Sequence, residues 1–274
     1  MKALTQWPGS LVLIGAGKMG GAMARGWLAG GLKPSSLTVI DPEPAEEIIA
    51  VAASTGMALN PKQPAPPQAI VLAVKPQSLE AVAPSIAPMV REDTLVISII
   101  AGKTIANLKA RLPGAGAIVR AMPNTPAAIG RGVSAAFADP ATTPAQRVWC
   151  ESLLGVVGAF HWLDSESAID AVTAISGSGP AYVFALTEAL AAAGERLGLE
   201  PELAMNLARG TVEGAAELMR REAGATPAAL RRNVTSPGGT TAAALAVLRG
   251  ENGLDALMAR ATAAARDRAA EMAG

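Results

Sequence analysis

The stretch VTSPGGTT, residues 234–241, packs four hydroxyls, a proline and two adjacent glycines between Ala-rich segments that read as helix. These residue types suit a small anion. A carboxylate takes several N–H or O–H donors, and the backbone N–H groups of a tight glycine turn form an anion-binding nest. Ser236, Gly239 and Thr240 can present such donors, and Pro237-Gly238-Gly239 shapes the turn without bulk. The segment also opens the helix TTAAALAVL, whose first N–H groups have no intrahelical partner. Thr241 can donate its hydroxyl to a ligand. A helix cap plus a type II turn explains one threonine and one glycine. It does not explain the whole set.

A second stretch, GAGKMG, places glycines at Gly15, Gly17 and Gly20, with Ala16, Lys18 and Met19 between them. Gly-x-Gly-x-x-Gly is a weak signal alone. Here it leaves an apolar run and opens a helical one, the setting of a dinucleotide loop. The first glycine permits the tight turn, the second the approach of a pyrophosphate, and the third close helix–strand packing. Asp41 follows about 20 residues later, where an acidic group hydrogen-bonds ribose hydroxyls and repels a 2′-phosphate. This favours NADH over NADPH. Asp41 followed by proline equally suits a cap on the next helix. Further polar turns end successive apolar runs: Lys75-Pro76, then Ala101-Gly102, then Asn124-Thr125 between two prolines. Together they mark one ligand crevice at the carboxyl edge of a sheet.

Composition excludes other chemistries. The formal net charge is zero and aromatics make up 3% of residues, so neither a basic field nor stacking platforms point to nucleic acid. With one cysteine (Cys150) and one histidine (His161), a zinc site built mainly from these residues cannot be assembled, and no metal is expected. His161, in the alternating GAFHWLD, reads as a structural or surface residue. The N-terminal apolar run ends in working glycines rather than a cleavage site, and no uncharged run reaches the length of a membrane span. A soluble, cytoplasmic protein with a small-molecule ligand is expected.

The elements that position these residues fall into two halves. Apolar runs at 11–17, 37–41, 69–74, 94–100, 117–123 and 132–138 read as strands, and most of the segments between them as helices. This predicts an α/β Rossmann-type domain with a mostly parallel, doubly wound sheet over 1–164. From 165 to 274 the pattern is helical, with a glycine-serine interruption around SGSGP. Such an Ala-rich all-α half is thin on bulky side chains. Burying its faces against a second copy predicts a homodimer.

The stretches GAGKMG, AVKPQ, SIIAG, RAMPNTPAAIGRG, DAVTAISGSGPAYVFALTEAL and NVTSPGGTT, in this order, closely resemble the pyrroline-5-carboxylate reductase family. The resemblance implies NAD(P)H-dependent reduction of Δ1-pyrroline-5-carboxylate to L-proline, and a Rossmann domain followed by a dimerisation domain, with dimers often gathered into rings. It places the cofactor site at Gly15–Gly20, Asn60, Ala73, Val74, Lys75, Pro76, Ala101 and Gly102, and the substrate site at Glu166, Asn233, Ser236, Gly239, Thr240 and Thr241. Thr241 or a water is the expected proton relay. Gly210 stands where many relatives have glutamine, and Ala225 near where they often carry an acidic residue.

Overall fold

The computed structural model describes residues 4–7 and 9–273. The start of the N-terminal segment, Pro8 and the closing Gly274 of the last predicted helix lie outside them. Two compact units divide the chain. One comprises residues 1–178 with 265–274, and the other residues 179–264.

The first unit is built on an eight-stranded sheet: β1 (Leu11–Ile14), β2 (Leu37–Ile40), β3 (Ala58–Leu59), β4 (Ala69–Leu72), β5 (Leu95–Ser98), β6 (Ala117–Met122), β7 (Gly132–Ala138) and β8 (Gly158–Trp162). Their spatial order is β3-β2-β1-β4-β5-β6-β7-β8. Every pairing is parallel except β6 with β7. Helices α1 (Lys18–Ala29), α2 (Glu46–Thr55), α3 (Leu79–Ile86), α4 (Ile105–Arg111) and α5 (Pro144–Gly155) accompany the sheet. The central strands are buried throughout because both faces are covered. Leu11, Leu13, Trp27, Ile48 and Leu153 belong to the core on one side; Val12, Ile14, Leu79, Ile86 and Leu108 to that on the other.

The sequence pattern leaves 139–157 without an element, yet α5 forms there. Thr143 and Gln146 make a reciprocal capping box, Pro144 sits at the first turn, and Cys150, Leu153 and Leu154 are buried. Strand β3 is too short for periodicity to reveal. Between β1 and β4 the strand order reverses, creating the crevice in which such sheets bind ligands.

The chain continues through α6 (Ala168–Val172) and a π turn, Thr173–Gly177, into α7 (Gly179–Arg196). The predicted interruption is thus a widened turn rather than a break. By length and composition alone, the run Ala168–Arg196 would suffice to cross a membrane.

The second unit contains α7, α8 (Pro201–Arg221), α9 (Pro227–Asn233), α10 (Thr240–Leu248) and the first part of α11 (Leu254–Ala273). Its buried residues, among those described, are Ala191, Ala204 and Ala208. Phe184, Leu186, Leu207, Val247 and Leu257 are exposed in the single chain. This unit therefore presents an apolar surface rather than enclosing a core.

Candidate active site

The glycine loop follows β1 at the reversal of strand order. Gly15 has φ +89°, and a side chain there would come within 2.8 Å of the Ala73 carbonyl oxygen at the end of β4. A Cβ on Gly20 would overlap the Gly15 carbonyl, whereas one on Gly17 would meet open space. The first and third glycines are thus required by the protein itself, and the second leaves room for a ligand. Gly17 also caps α1 with no side-chain hydrogen bond, so the first N–H groups of that helix face the opening. Ala16, Gly17, Lys18 and Met19 line a cavity of about 730 Å³ that reaches Arg25, Glu46 and Thr125. An open N–H cradle at a helix start fits a dinucleotide pyrophosphate.

Asp41 braces this loop. Its Oδ2 accepts from the Ala16 N–H at 2.5 Å and its Oδ1 from the Glu43 N–H at 2.9 Å. It does not cap α2, whose N-cap is Ala45, so the helix-cap alternative for Asp41 is set aside. Asn60 adopts φ +49°, and its amide clasps Asp41: Oδ1 accepts from the Asp41 N–H at 2.9 Å, and Nδ2 donates to the Asp41 carbonyl at 2.7 Å. Asn60 thereby acts on the glycine loop through Asp41.

The remaining strand ends behave differently from one another. Ala73 and Val74 leave β4, and Pro76 starts a 3-10 turn with Lys75 exposed before it. Gly102 has φ +69°, but what its missing side chain admits is Met272 of α11, whose carbonyl would lie 2.7 Å from a Cβ. The close approach expected there between Ala101-Gly102 and a ligand is, at Gly102, an approach of protein to protein. Asn124 is buried; its amide joins the Val133 N–H to the Ser176 carbonyl.

Glu166 is half-buried. Its Oε1 accepts from the Ile105 N–H at 2.7 Å, at the start of α4, and lies 3.5 Å from Arg120 Nη1. Arg120 lies in the buried strand β6, and its other terminal nitrogen is 3.3 Å from Asp170. The sequence reading passed over Arg120. An arginine inside an otherwise apolar run was the available signal, because a buried charge needs partners.

In the second unit, Ser236-Pro237-Gly238-Gly239 is a type II turn: Gly238 has φ +68° and the Gly239 N–H donates to the Ser236 carbonyl at 3.1 Å. A Cβ on Gly239 would come within 2.5 Å of Ser236 Oγ. Gly239 is the N-cap of α10 and provides no side-chain cap. Thr240 and Thr241 lie inside the first turn, and neither hydroxyl caps the helix. The helix start is therefore an open set of N–H donors with two hydroxyls beside it. Asn233 closes α9 and is exposed on the approach to the turn.

Residues 166–272 match the family described as pyrroline-5-carboxylate reductase dimerisation, and residues 10–102 that described as NADP oxidoreductase, coenzyme F420-dependent. A pyrroline-5-carboxylate reductase of Pseudomonas aeruginosa is 42% identical over 96% of both chains. The chain belongs to the pyrroline-5-carboxylate reductase family. The pyrroline-5-carboxylate reductase of Pisum sativum is 35% identical over 96% of both chains. A solved pyrroline-5-carboxylate reductase from Coxiella burnetii superposes with a TM-score of 0.88 at 34% identity, covering 97% of this chain and 99% of that one. The Plasmodium falciparum pyrroline carboxylate reductase, solved with NADP bound, gives 0.80 at 29% identity, covering 97% and 99%. The dimerisation match accords with the exposed apolar side chains of this unit.

Proposed function

We infer that this chain reduces the C=N bond of Δ1-pyrroline-5-carboxylate to give L-proline, the last step of proline biosynthesis, with NADH or NADPH as reductant. The observation that carries the reading is the open start of α10. A helix whose N-cap is glycine and whose two following threonines do not cap it is suited to receive a carboxylate. The substrate has one carboxylate and one ring imine. Backbone N–H groups of the first turn of α10, from Thr240 on, with the Ser236 hydroxyl beside them, bind the carboxylate, and Gly239, its own N–H held by the Ser236 carbonyl, leaves the approach free of a side chain. Thr241 Oγ1 donates to the carboxylate or to the neutral imine nitrogen and, alone or through water, relays to that nitrogen the one proton that makes the ring carbon electrophilic. Asn233 and Glu166 complete the substrate set.

A protonated imine is already electrophilic, so the protein's task is placement rather than strong acid–base catalysis. Bringing the reacting atoms to about 3–3.5 Å supplies much of the acceleration. When bound, the dinucleotide supplies the hydride. The Gly15–Gly20 loop would hold its pyrophosphate, Asp41 with Asn60 its adenosine end, and Ala73–Pro76 with Ala101 would border it at the neighbouring strand ends, while Gly102 admits Met272. Hydride at the ring carbon and a proton on nitrogen complete the balance, and the reaction needs no metal.

A preference for NADH is the finer part of the reading. Asp41, Glu43, Glu46 and Glu47 crowd the segment after β2, and Arg25 is paired to Glu47 at 2.7 Å. That field disfavours a 2′-phosphate. The enzyme acts in the cytoplasm as a homodimer through residues 165–274, with dimers able to gather into a ring. The test is oxidation of NADH and of NADPH at 340 nm with pyrroline-5-carboxylate. Turnover with higher kcat/KM for NADH is expected. No turnover with either cofactor overturns the function, and a strong NADPH preference overturns the finer reading.

A further inference from the structure

The cavity beside the glycine loop lies wholly within the first unit, and its two walls carry opposite charge. Lys18 and Arg25 line it from α1, and Glu46 and Glu47 from the first turn of α2. Across it, Arg25 Nη1 donates to Glu47 Oε2 at 2.7 Å. The bond is single. A guanidinium presents five N–H donors in a planar fork, and among the described residues Glu47 engages only Nη1. The two side chains are 37% and 74% exposed. A pair so exposed contributes little to stability. Its consequence lies in where it holds the guanidinium.

Ala16 lines the same cavity, and its N–H is bound by Asp41 at the end of β2. In sheets of this kind that acid meets the adenosine ribose, and an arginine nearby accommodates a 2′-phosphate where NADP is used. Residues 42–47, which follow Asp41, contain neither arginine nor lysine. The arginine that lines the cavity comes instead from α1, and Glu47 holds it. Glu47 is itself favoured in place, because a carboxylate in the first turn of a helix meets the positive end of the helix dipole. A phosphate approaching Arg25 therefore meets a partnered fork with a negative charge beside it.

We propose that Glu47 is a specificity-determining residue for the cofactor: it withholds Arg25 from the 2′-phosphate of NADPH. Discrimination then does not rest on Asp41 alone. The two acids differ in kind. Both oxygens of Asp41 are committed to backbone N–H groups, one of them in the glycine loop, whereas Glu47 has no bond to that loop among the described residues. The proposal deepens the cofactor reading above and rests on the cavity's taking a dinucleotide.

The test measures dissociation constants of NADPH and NADH by fluorescence titration at low ionic strength. Full-length wild type is compared with Glu47→Gln, Glu46→Gln and the double variant Arg25→Ala/Glu47→Gln, and the quantity compared is the ratio of the two constants. Glu47→Gln is expected to shift the ratio about tenfold toward NADPH, the lower end of the range for a hydrogen bond to a charged partner. Glu46→Gln removes the same charge from the same helical turn but leaves Arg25 paired, so its shift should be about threefold or less. The double variant has the net charge of wild type and lacks the guanidinium; its ratio should return to within about twofold of wild type. An unchanged ratio in Glu47→Gln overturns the proposal, and a lowered Tm beside it would make the pair only a tie between α1 and α2. An equal shift in Glu46→Gln, or a shift that survives the loss of Arg25, also overturns it, because net charge and not Arg25 would then be responsible. Turnover is read separately. A wild type that binds both cofactors but oxidises neither with pyrroline-5-carboxylate overturns the reductase reading, while the binding ratios still decide the role of Glu47. A wild type that binds neither overturns both.

Discussion

Thr241 lies one residue inside α10, after an N-cap glycine, so its hydroxyl does not hold the helix start together. Thr241→Ala is therefore expected to lower kcat/KM by about ten- to a hundredfold, the range of a hydrogen bond to a charged partner, about 1.5–3 kcal/mol. Thermal stability and NADH affinity should stay as in wild type. A lowered Tm with unchanged kinetics would return Thr241 to a purely structural role. Asp41 has two tasks, since its carboxylate also braces Ala16. Asp41→Ser is expected to weaken NADH binding by about tenfold or more and to give no gain for NADPH, because the glycine loop loses its brace along with the negative charge. Tighter NADPH binding in a titration of the variant would show that repulsion alone mattered. At this scale the sequence discloses what is local. Proline followed by glycine fixes the turn at 236–239 wherever it occurs. It does not disclose partners distant along the chain: Asn60 with Asp41, Asn124 with Ser176, and Glu166 with Arg120 meet only once the sheet is assembled.

Strands and helices were legible where apolar periodicity was long, and silent where it was short or mixed. The six predicted strand runs all contain strands. The pair at Ala58–Leu59 has no period to read, and α5 combines Arg147, Trp149 and Glu151 in one turn, which blurs its buried face. Its Thr-Pro-x-Gln start was a sufficient signal by capping alone. The predicted break at SGSGP became a π turn because Pro180 removes one donor without forbidding helix at a first turn. Between β1 and α1, packing is tight enough to be tested by one methyl group. Gly20→Ala would drive a Cβ into the Gly15 carbonyl. Helix and loop must part, so cofactor binding is expected to be lost in a fluorescence titration, while the far-UV circular dichroism of the folded protein is retained. Wild-type NADH affinity in this variant would mean that the loop can shift without penalty.

The two units of the molecule differ in what they bury. The sheet unit fills both its faces with leucine, isoleucine and valine. Among its described residues, the unit at 179–264 buries three alanines. At about 25 cal/mol per Å² of apolar surface, three methyl groups contribute far less than the cost of ordering five helices. In the proposed dimer the partner supplies the missing contribution, which would make folding of this half a bimolecular reaction governed by mass action. Its melting temperature should then rise with protein concentration, by several degrees per tenfold, and refolding from denaturant should end in a second-order phase that slows on dilution. A midpoint and a rate independent of concentration from nanomolar to micromolar would contradict this. A newly made chain would thus leave the ribosome with its first unit complete and its second waiting. The supply of finished enzyme depends on how often two such chains meet.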